Sequence, residues 1–132
     1  MTHVLFVCSA NIQRSVTGAE LFSECPDIET KSAGTNAMEG RTQVSQELVD
    51  WADVIFVMSE EKEGHVSFLR ENFDLGDKPV NDLEIKDRYF INEPELKRLL
   101  IEKVSGYIDL EECMDHLSEN IKNNSFDITQ DR

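Results

Sequence analysis

Val4-Leu5-Phe6-Val7-Cys8-Ser9-Ala10-Asn11-Ile12-Gln13-Arg14-Ser15 is the stretch that decides how this chain folds. Its first four residues are apolar without a break, which predicts a short strand buried on both faces. Directly after it stand a Cys and an Arg separated by five residues, with a hydroxyl residue next. A chain wrapping once around a tetrahedral anion needs about this length, and its amide N–H groups can then point inward as a nest. The Cys8 sulfur would form the floor, and the Arg14 fork would reach the anion's oxygens at two points. A helix starting near Ser15 adds the positive end of its dipole. All of these groups favour a thiolate and so make a nucleophile. A bare Cys-x5-Arg pair also recurs by chance, as a buried cysteine beside a solvated arginine. Its place at a strand-to-helix junction points to catalysis.

Outward from this stretch, strands and helices alternate. Residues 15–24 show one apolar face and end at Cys25-Pro26-Asp27. Ile28 to Ser32 reads as a short strand before the loop Ala33-Gly34-Thr35-Asn36, and Val44 to Trp51 as an amphipathic helix. Val54-Ile55-Phe56-Val57-Met58 is the second all-apolar strand, and Ser59 caps a charged helix from about Glu60 to Asn72. Pro79 to Leu83 is a weaker strand. Asn92, with Glu95 at the capping-box position, opens a helix reaching about Tyr107, and an acidic helix over 109–122 precedes a polar tail. The alternation predicts an α/β sandwich around a parallel sheet of about four strands; right-handed crossovers limit the topologies, and the order 2-1-3-4 is expected. The loop after the first strand then lies at the switch point, where such sheets bind ligands.

The 132 residues suit one domain with a single core. The net charge is −14. Residues 1–108 carry 20 acidic and 11 basic side chains, and residues 109–132 carry 7 and 2. So acidic a chain is a poor partner for nucleic acid, which is bound through clustered Lys and Arg. An anion site must therefore be made positive locally, by Arg14 and the loop amides. No apolar stretch approaches the roughly 18 residues of a membrane span, and Thr2-His3-Val4 leads straight into a strand with no leader-like segment. Three cysteines without framework spacing fit a reducing, cytoplasmic location, with Cys25 and Cys113 as small buried hydrophobes. Cys113 and His116 are only two ligands and do not make a metal site, and His65 reads as a solvated residue of a charged helix.

These residues resemble the low-molecular-weight protein tyrosine phosphatases, in particular a shorter bacterial-type subgroup. The resemblance runs from His3 to about Ile108 and has three anchors: the 7–15 phosphate loop, Ser32-Ala33-Gly34-Thr35, and Asp87-Arg88-Tyr89. It implies a flavodoxin-like three-layer fold, a phosphatase domain over residues 1–108 and an appendage over 109–132. Residue by residue, it implies that Cys8 attacks phosphorus to form a phosphocysteine and that Arg14 binds the equatorial oxygens. Asn11 would hold a left-handed turn of the loop, and Ser15 would hydrogen-bond the thiolate. Asp87 would protonate the leaving oxygen and then activate water. Ser9, Ala10, Ile12 and Gln13 would complete the phosphate cradle, and Tyr89 would line the cleft for an aromatic group. The implied substrate is a phosphorylated protein or a small aryl phosphate, with no metal or other cofactor. Asp82 and Glu84 are neighbouring rivals for the acid. The Ser32-Ala33-Gly34-Thr35 loop should pack against the phosphate loop.

Four departures from the family pattern stand out. Gln13 occupies the place of a frequent second cysteine. Cys25 lies about 15 Å from Ser15 along a helix at ~1.5 Å per residue, too far to trap an oxidised Cys8. Val16 replaces the usual proline, and Arg88 follows Asp87 where proline is usual. The 34–52 segment is short, leaving Asn36, Met38 and Trp51 to rebuild the substrate wall. Two other functions share the scaffold. An arsenate reductase would need further redox cysteines, and residues 26–112 contain none. A phosphoryl-binding module without turnover would not need the full set of Cys8, Arg14, Ser15 and Asp87. The segment 109–122 is either a docked packing helix or a partner-binding element.

Overall fold

In the computed structural model, which describes the backbone of residues 1–130 and the side chains of residues 1–122, the opening apolar run becomes strand β1, Thr2–Cys8. Val4 to Val7 are buried, and β1 has a strand on each edge. Its parallel neighbours are β2, Ile28–Gly34, and β3, Val54–Val57. Strand β4, Val80–Asp82, pairs in parallel with β3, giving the order β2-β1-β3-β4. Cys8 pairs with Gly34, Val7 with Val57, and Val57 with Asp82. The strands therefore end at one edge of the sheet, and the loops that follow them meet there.

Side chains alternate along β1, as the pleat requires. Val4, Phe6 and Cys8 join Leu21, Phe22, Leu96, Leu100 and Leu117 on one face. Those partners come from α1 (Arg14–Phe22), α5 (Pro94–Val104) and α6 (Met114–Gln130). Leu5 and Val7 join Ala33, Val49 and Leu69 on the other face. There the cover is α2 (Gln46–Trp51) and α4 (His65–Asn72). The result is the expected three-layer sandwich with the expected strand order. Among the described residues, no helix is long and apolar enough to cross a membrane.

The structure departs from the sequence reading in several places. The helix expected over 60–72 is two helices, α3 (Glu60–Glu63) and α4, broken at Gly64 with φ 65°. That left-handed conformation suits a residue without Cβ. Asn92 does not cap α5. It takes φ 59°, and its N–H donates to Thr17 Oγ1 at 2.9 Å. Glu93 is the N-cap, and Pro94, which has no N–H to lose, begins the helix. The C-terminal segment opens with a 3-10 turn at Glu111–Cys113, and α6 runs past residue 122 through most of the expected polar tail. Residues 131–132 of that tail lie outside the described residues. Leu110, Cys113, Leu117 and Ile121 are buried, so the apolar face of 109–122 is docked on the core.

The largest correction concerns the cysteines. Cys25 and Cys113 are not separate buried thiols but a disulfide, with Cα atoms 5.2 Å apart and a separation of 88 positions in sequence. Docking of α6 carries Cys113 to the end of α1. Cysteine spacing does not show this, because the two residues come from different elements.

Candidate active site

Cys8 is the last residue of β1, and the chain turns around it before entering α1 at Arg14. The turn is held from outside. Thr35 N–H donates to the Cys8 carbonyl at 2.9 Å, Asn36 N–H to Ser9 at 2.9 Å, and Met38 N–H to Ala10 at 3.1 Å. Arg41 Nε donates to the Asn11 carbonyl at 2.8 Å. With four successive carbonyls turned outward and every peptide trans, the amides of residues 9–12 face the opposite way, into the loop. Asn11 supplies the left-handed step at φ 57°. Gly34 makes the close approach possible: a Cβ there would lie 2.4 Å from the Ser9 carbonyl oxygen.

The side chains converge inside this frame. Cys8 is buried at 3 % exposure, and its sulfur lies 2.9 Å from Ser15 Oγ. Asn11 Nδ2 donates to the same Ser15 oxygen at 2.9 Å. Arg14 is buried at 2 % exposure, and its donors can be counted. Nη1 donates to Glu63 Oε2 at 2.7 Å and to the Ile85 carbonyl at 2.8 Å, and Nη2 donates to Glu63 Oε1 at 2.7 Å. Nε–H and the second Nη2–H remain. These two are parallel and form the side-on edge of the fork, which suits two-point binding of an oxyanion. Cys8, Ala10, Ile12, Gln13, Arg14 and Asp87 line one cavity of about 130 Å³. Asp87 Oδ1 lies 3.8 Å from Arg14 Nε, at the open side of this edge.

Asp87 reaches that position because its loop is pinned on both flanks. Ile85 N–H donates to the Met58 carbonyl at 2.7 Å, and Asn92 is tied to Thr17. Between them, Arg88 N–H closes on the Lys86 carbonyl at 3.0 Å, a tight turn with Asp87 at its tip. The rival acids sit elsewhere. Asp82 accepts from Glu60 N–H and Glu84 N–H at 3.1 and 2.9 Å. Both rivals line a separate cavity of about 170 Å³ with Ser59, Lys62 and Lys86.

No protein-family model and no curated protein sequence matches the chain. Solved structures do. The arginine phosphatase YwlE from Geobacillus stearothermophilus aligns with a TM-score of 0.57 at 22% identity, covering 99% of this chain and 95% of its own. The low molecular weight protein tyrosine phosphatase from T. tengcongensis aligns at 0.63 and 21%, covering 82% and 100%. Vibrio vulnificus Wzb in complex with benzylphosphonate aligns at 0.61 and 19%, covering 80% and 96%. The fold is that of the low molecular weight protein tyrosine phosphatases.

On this low molecular weight phosphatase fold, not every expected residue reaches the cavity wall. The Ser9 hydroxyl is taken by Glu63, donating to its Oε1 at 2.5 Å, so only the Ser9 amide is turned into the loop. Tyr89 is half-buried against the core, with the Arg88 guanidinium 5.5 Å from its ring centre. It is Phe90, 73 % exposed, that stands free beside Asp87 and Tyr89 in the chain. Asn36 and Met38 stay beside the loop through their backbone bonds, but Trp51 does not belong to the wall. It stacks on His3 at the opposite end of β1, with ring centres 4.6 Å apart.

Two residues of the site escaped the sequence reading. Glu63 holds Arg14, and His65, expected to be solvated, is fully buried. His65 Nδ1 accepts from the amides of Met58 and Ser59 at 3.3 and 3.0 Å, and its Nε2 lies 2.9 Å from Ser9 Oγ. Burial holds the His65 pKa below its ordinary value, against the opposing pull of Glu63. Burial also pushes the Glu63 carboxyl upward, but the hydrogen bonds from Arg14 and Ser9 outweigh it and leave its pKa lowered. Gly64 was the available signal: a glycine five residues after a Ser59 cap stops the helix after one turn and brings its neighbours back to the loop.

Proposed function

We propose that this chain is a phosphate-monoester hydrolase of the protein tyrosine phosphatase type, acting through a phosphocysteine on Cys8. The observation that carries this reading is the meeting of three groups in one small cavity: a buried thiol, the unspent side-on edge of Arg14, and the Asp87 carboxyl across from them. The Cys8 thiolate attacks phosphorus, and the S–P bond forms as the ester P–O bond breaks. Arg14 and the amides of residues 9–12 hold the equatorial oxygens as charge builds on them. Asp87 gives its proton to the leaving oxygen, then takes one from the water that hydrolyses the phosphocysteine. Ser15 donates to the departing sulfur. Charge is handled by Arg14 and the amides, and the residues of the site call for no cofactor.

A phosphorylated protein or a small aryl phosphate is the proposed substrate. Phosphoarginine is a second reading, because the YwlE arginine phosphatase aligns along 99% of the chain. Hydrolysis of nitrophenyl phosphate, phosphotyrosine and phosphoarginine by the wild type and by Cys8→Ser tests both. The proposal expects turnover of the aryl esters and none in the variant. Turnover in Cys8→Ser would overturn the covalent mechanism, and preference for phosphoarginine would replace the substrate assignment.

A further inference from the structure

We propose that His65, Ser9 and Glu63 form a hydrogen-bond relay that positions Arg14, and that anion affinity depends on it. The proposal rests on the reading of the 8–15 loop as an anion site. The relay has one direction. Two backbone amides, those of Met58 and Ser59, point at His65 Nδ1, so the ring proton is on Nε2. Nε2–H donates to Ser9 Oγ at 2.9 Å. The Ser9 hydroxyl then has one acceptor in reach, Glu63 Oε1 at 2.5 Å. Glu63 meets the end-on pair of Arg14 with one oxygen on each terminal nitrogen, both at 2.7 Å.

The local backbone is built for this. Glu63 ends α3, His65 begins α4, and the left-handed Gly64 between them returns both side chains toward Ser9. The consequence for the site is geometric. A planar guanidinium gripped on its end-on edge, and at Nη1 by the Ile85 carbonyl, has its side-on edge aimed as well. Glu63 also neutralises a fully buried cation, whose charge would otherwise be exposed to the cavity without a fixed partner. His65 and Glu63 touch neither the cavity nor its contents. They are positioning residues, acting through Ser9 and Arg14.

The test uses the full chain with inorganic phosphate as the probe. Its affinity is measured by titration calorimetry, alongside kcat and KM on an aryl phosphate. The variants are Glu63→Gln, Glu63→Asp, Ser9→Ala and His65→Asn, with Glu61→Gln on the exposed side of α3 as control. His65→Asn keeps an acceptor for the two amides but is too short to reach Ser9. Glu63→Gln should weaken phosphate about 10- to 100-fold, the range for losing hydrogen bonds to a charged group. Ser9→Ala and His65→Asn should weaken it by smaller factors at near-wild-type melting temperature, with kcat/KM falling more than phosphate affinity. Glu63→Asp should recover part of the loss, and Glu61→Gln should match the wild type. If Glu63→Gln does not fold, Ser9→Ala and His65→Asn decide the matter. Folded Ser9→Ala and His65→Asn proteins that bind phosphate as the wild type does would overturn the relay alone. A folded wild type that binds no phosphate would overturn the anion-site reading, and the relay with it.

Discussion

The hydroxyl of Ser15 lies 2.9 Å from the sulfur of Cys8, and its proton has one place to go. Asn11 Oδ1 accepts from Thr42 N–H at 3.1 Å, which fixes the amide so that Nδ2 donates to Ser15 Oγ. With that lone pair taken, the Ser15 proton is directed at the sulfur. In the proposed mechanism it would stabilise the thiolate as sulfur leaves phosphorus.

Ser15→Ala should slow breakdown of the phosphocysteine more than its formation. Losing a hydrogen bond to a charged group costs about 1.5–3 kcal/mol, or roughly 10- to 100-fold in rate. Stopped-flow release of nitrophenol should then show a larger burst followed by a slower steady state. An unchanged burst and rate would mean that the hydroxyl serves only the fold.

Asp87→Asn should lower turnover of phenyl phosphate or phosphotyrosine by on the order of 10²–10⁴-fold. For nitrophenyl phosphate the loss should be smaller, since that oxygen leaves with little protonation. Asp82→Asn and Glu84→Gln should show no dependence on the leaving group, because these side chains face a different cavity. A leaving-group effect in either of them would move the acid away from Asp87.

The disulfide should support stability without touching chemistry. Thr2 lines a cavity with Cys25 and Cys113 at the far end of β1 from Cys8. Six residue-to-residue steps of strand separate Thr2 from Cys8, about 20 Å at ~3.3 Å each. Closing a loop of this length is worth at most about 4–5 kcal/mol in the chain-entropy picture. Cys25→Ala with Cys113→Ala should lower the melting temperature and leave kcat/KM unchanged. Peroxide should carry Cys8, a free buried thiol, past sulfenic acid to irreversible forms. Mass spectrometry showing a reducible Cys8–Cys25 or Cys8–Cys113 bond would contradict the distance.

Stability should fall on acidification in two stages. The unfolded chain protonates His65 near its ordinary value of 6.5, whereas the folded chain resists to lower pH because the ring is buried. Below pH 6.5 the unfolded state thus binds the extra proton, and stability declines by up to about 1.4 kcal/mol per pH unit per group. Glu63 adds a second decline below its ordinary 4.5, in the same direction. Urea denaturation at several pH values between 7 and 5 should show a slope that flattens in His65→Asn. Equal slopes in the two proteins would assign the proton to another group.

Where one physical cause dominates, the sequence was readable. All-apolar runs such as Val4–Val7 and Val54–Val57 can only be central strands. Crossover handedness narrowed the topologies to a few that include the observed order 2-1-3-4, and Asn11 suits a left-handed step. Legibility stopped where the cause is tertiary. His65 looks like any helical histidine until Gly64 folds it under the Ser9 loop. Cys25 and Cys113 carry no mutual signal because docking of α6 brings them together. Asn92 and Glu95 match a capping box, but Pro94 and the tie to Thr17 moved the helix start by one residue.

The proposed nucleophile and the proposed acid are built into parts of very different permanence. Cys8 terminates a strand paired on both sides and sealed by two layers, whereas Asp87, with 59 % of its side chain exposed, stands at the tip of a surface turn. Amide hydrogens around Val7 should exchange with solvent only through global opening, and those at 86–90 through local fluctuation. Heat inactivation and loss of acid catalysis are then separate events, set by different segments. Residues that rigidify the 84–91 loop can alter the temperature dependence of turnover while leaving the survival time of the folded protein as it was.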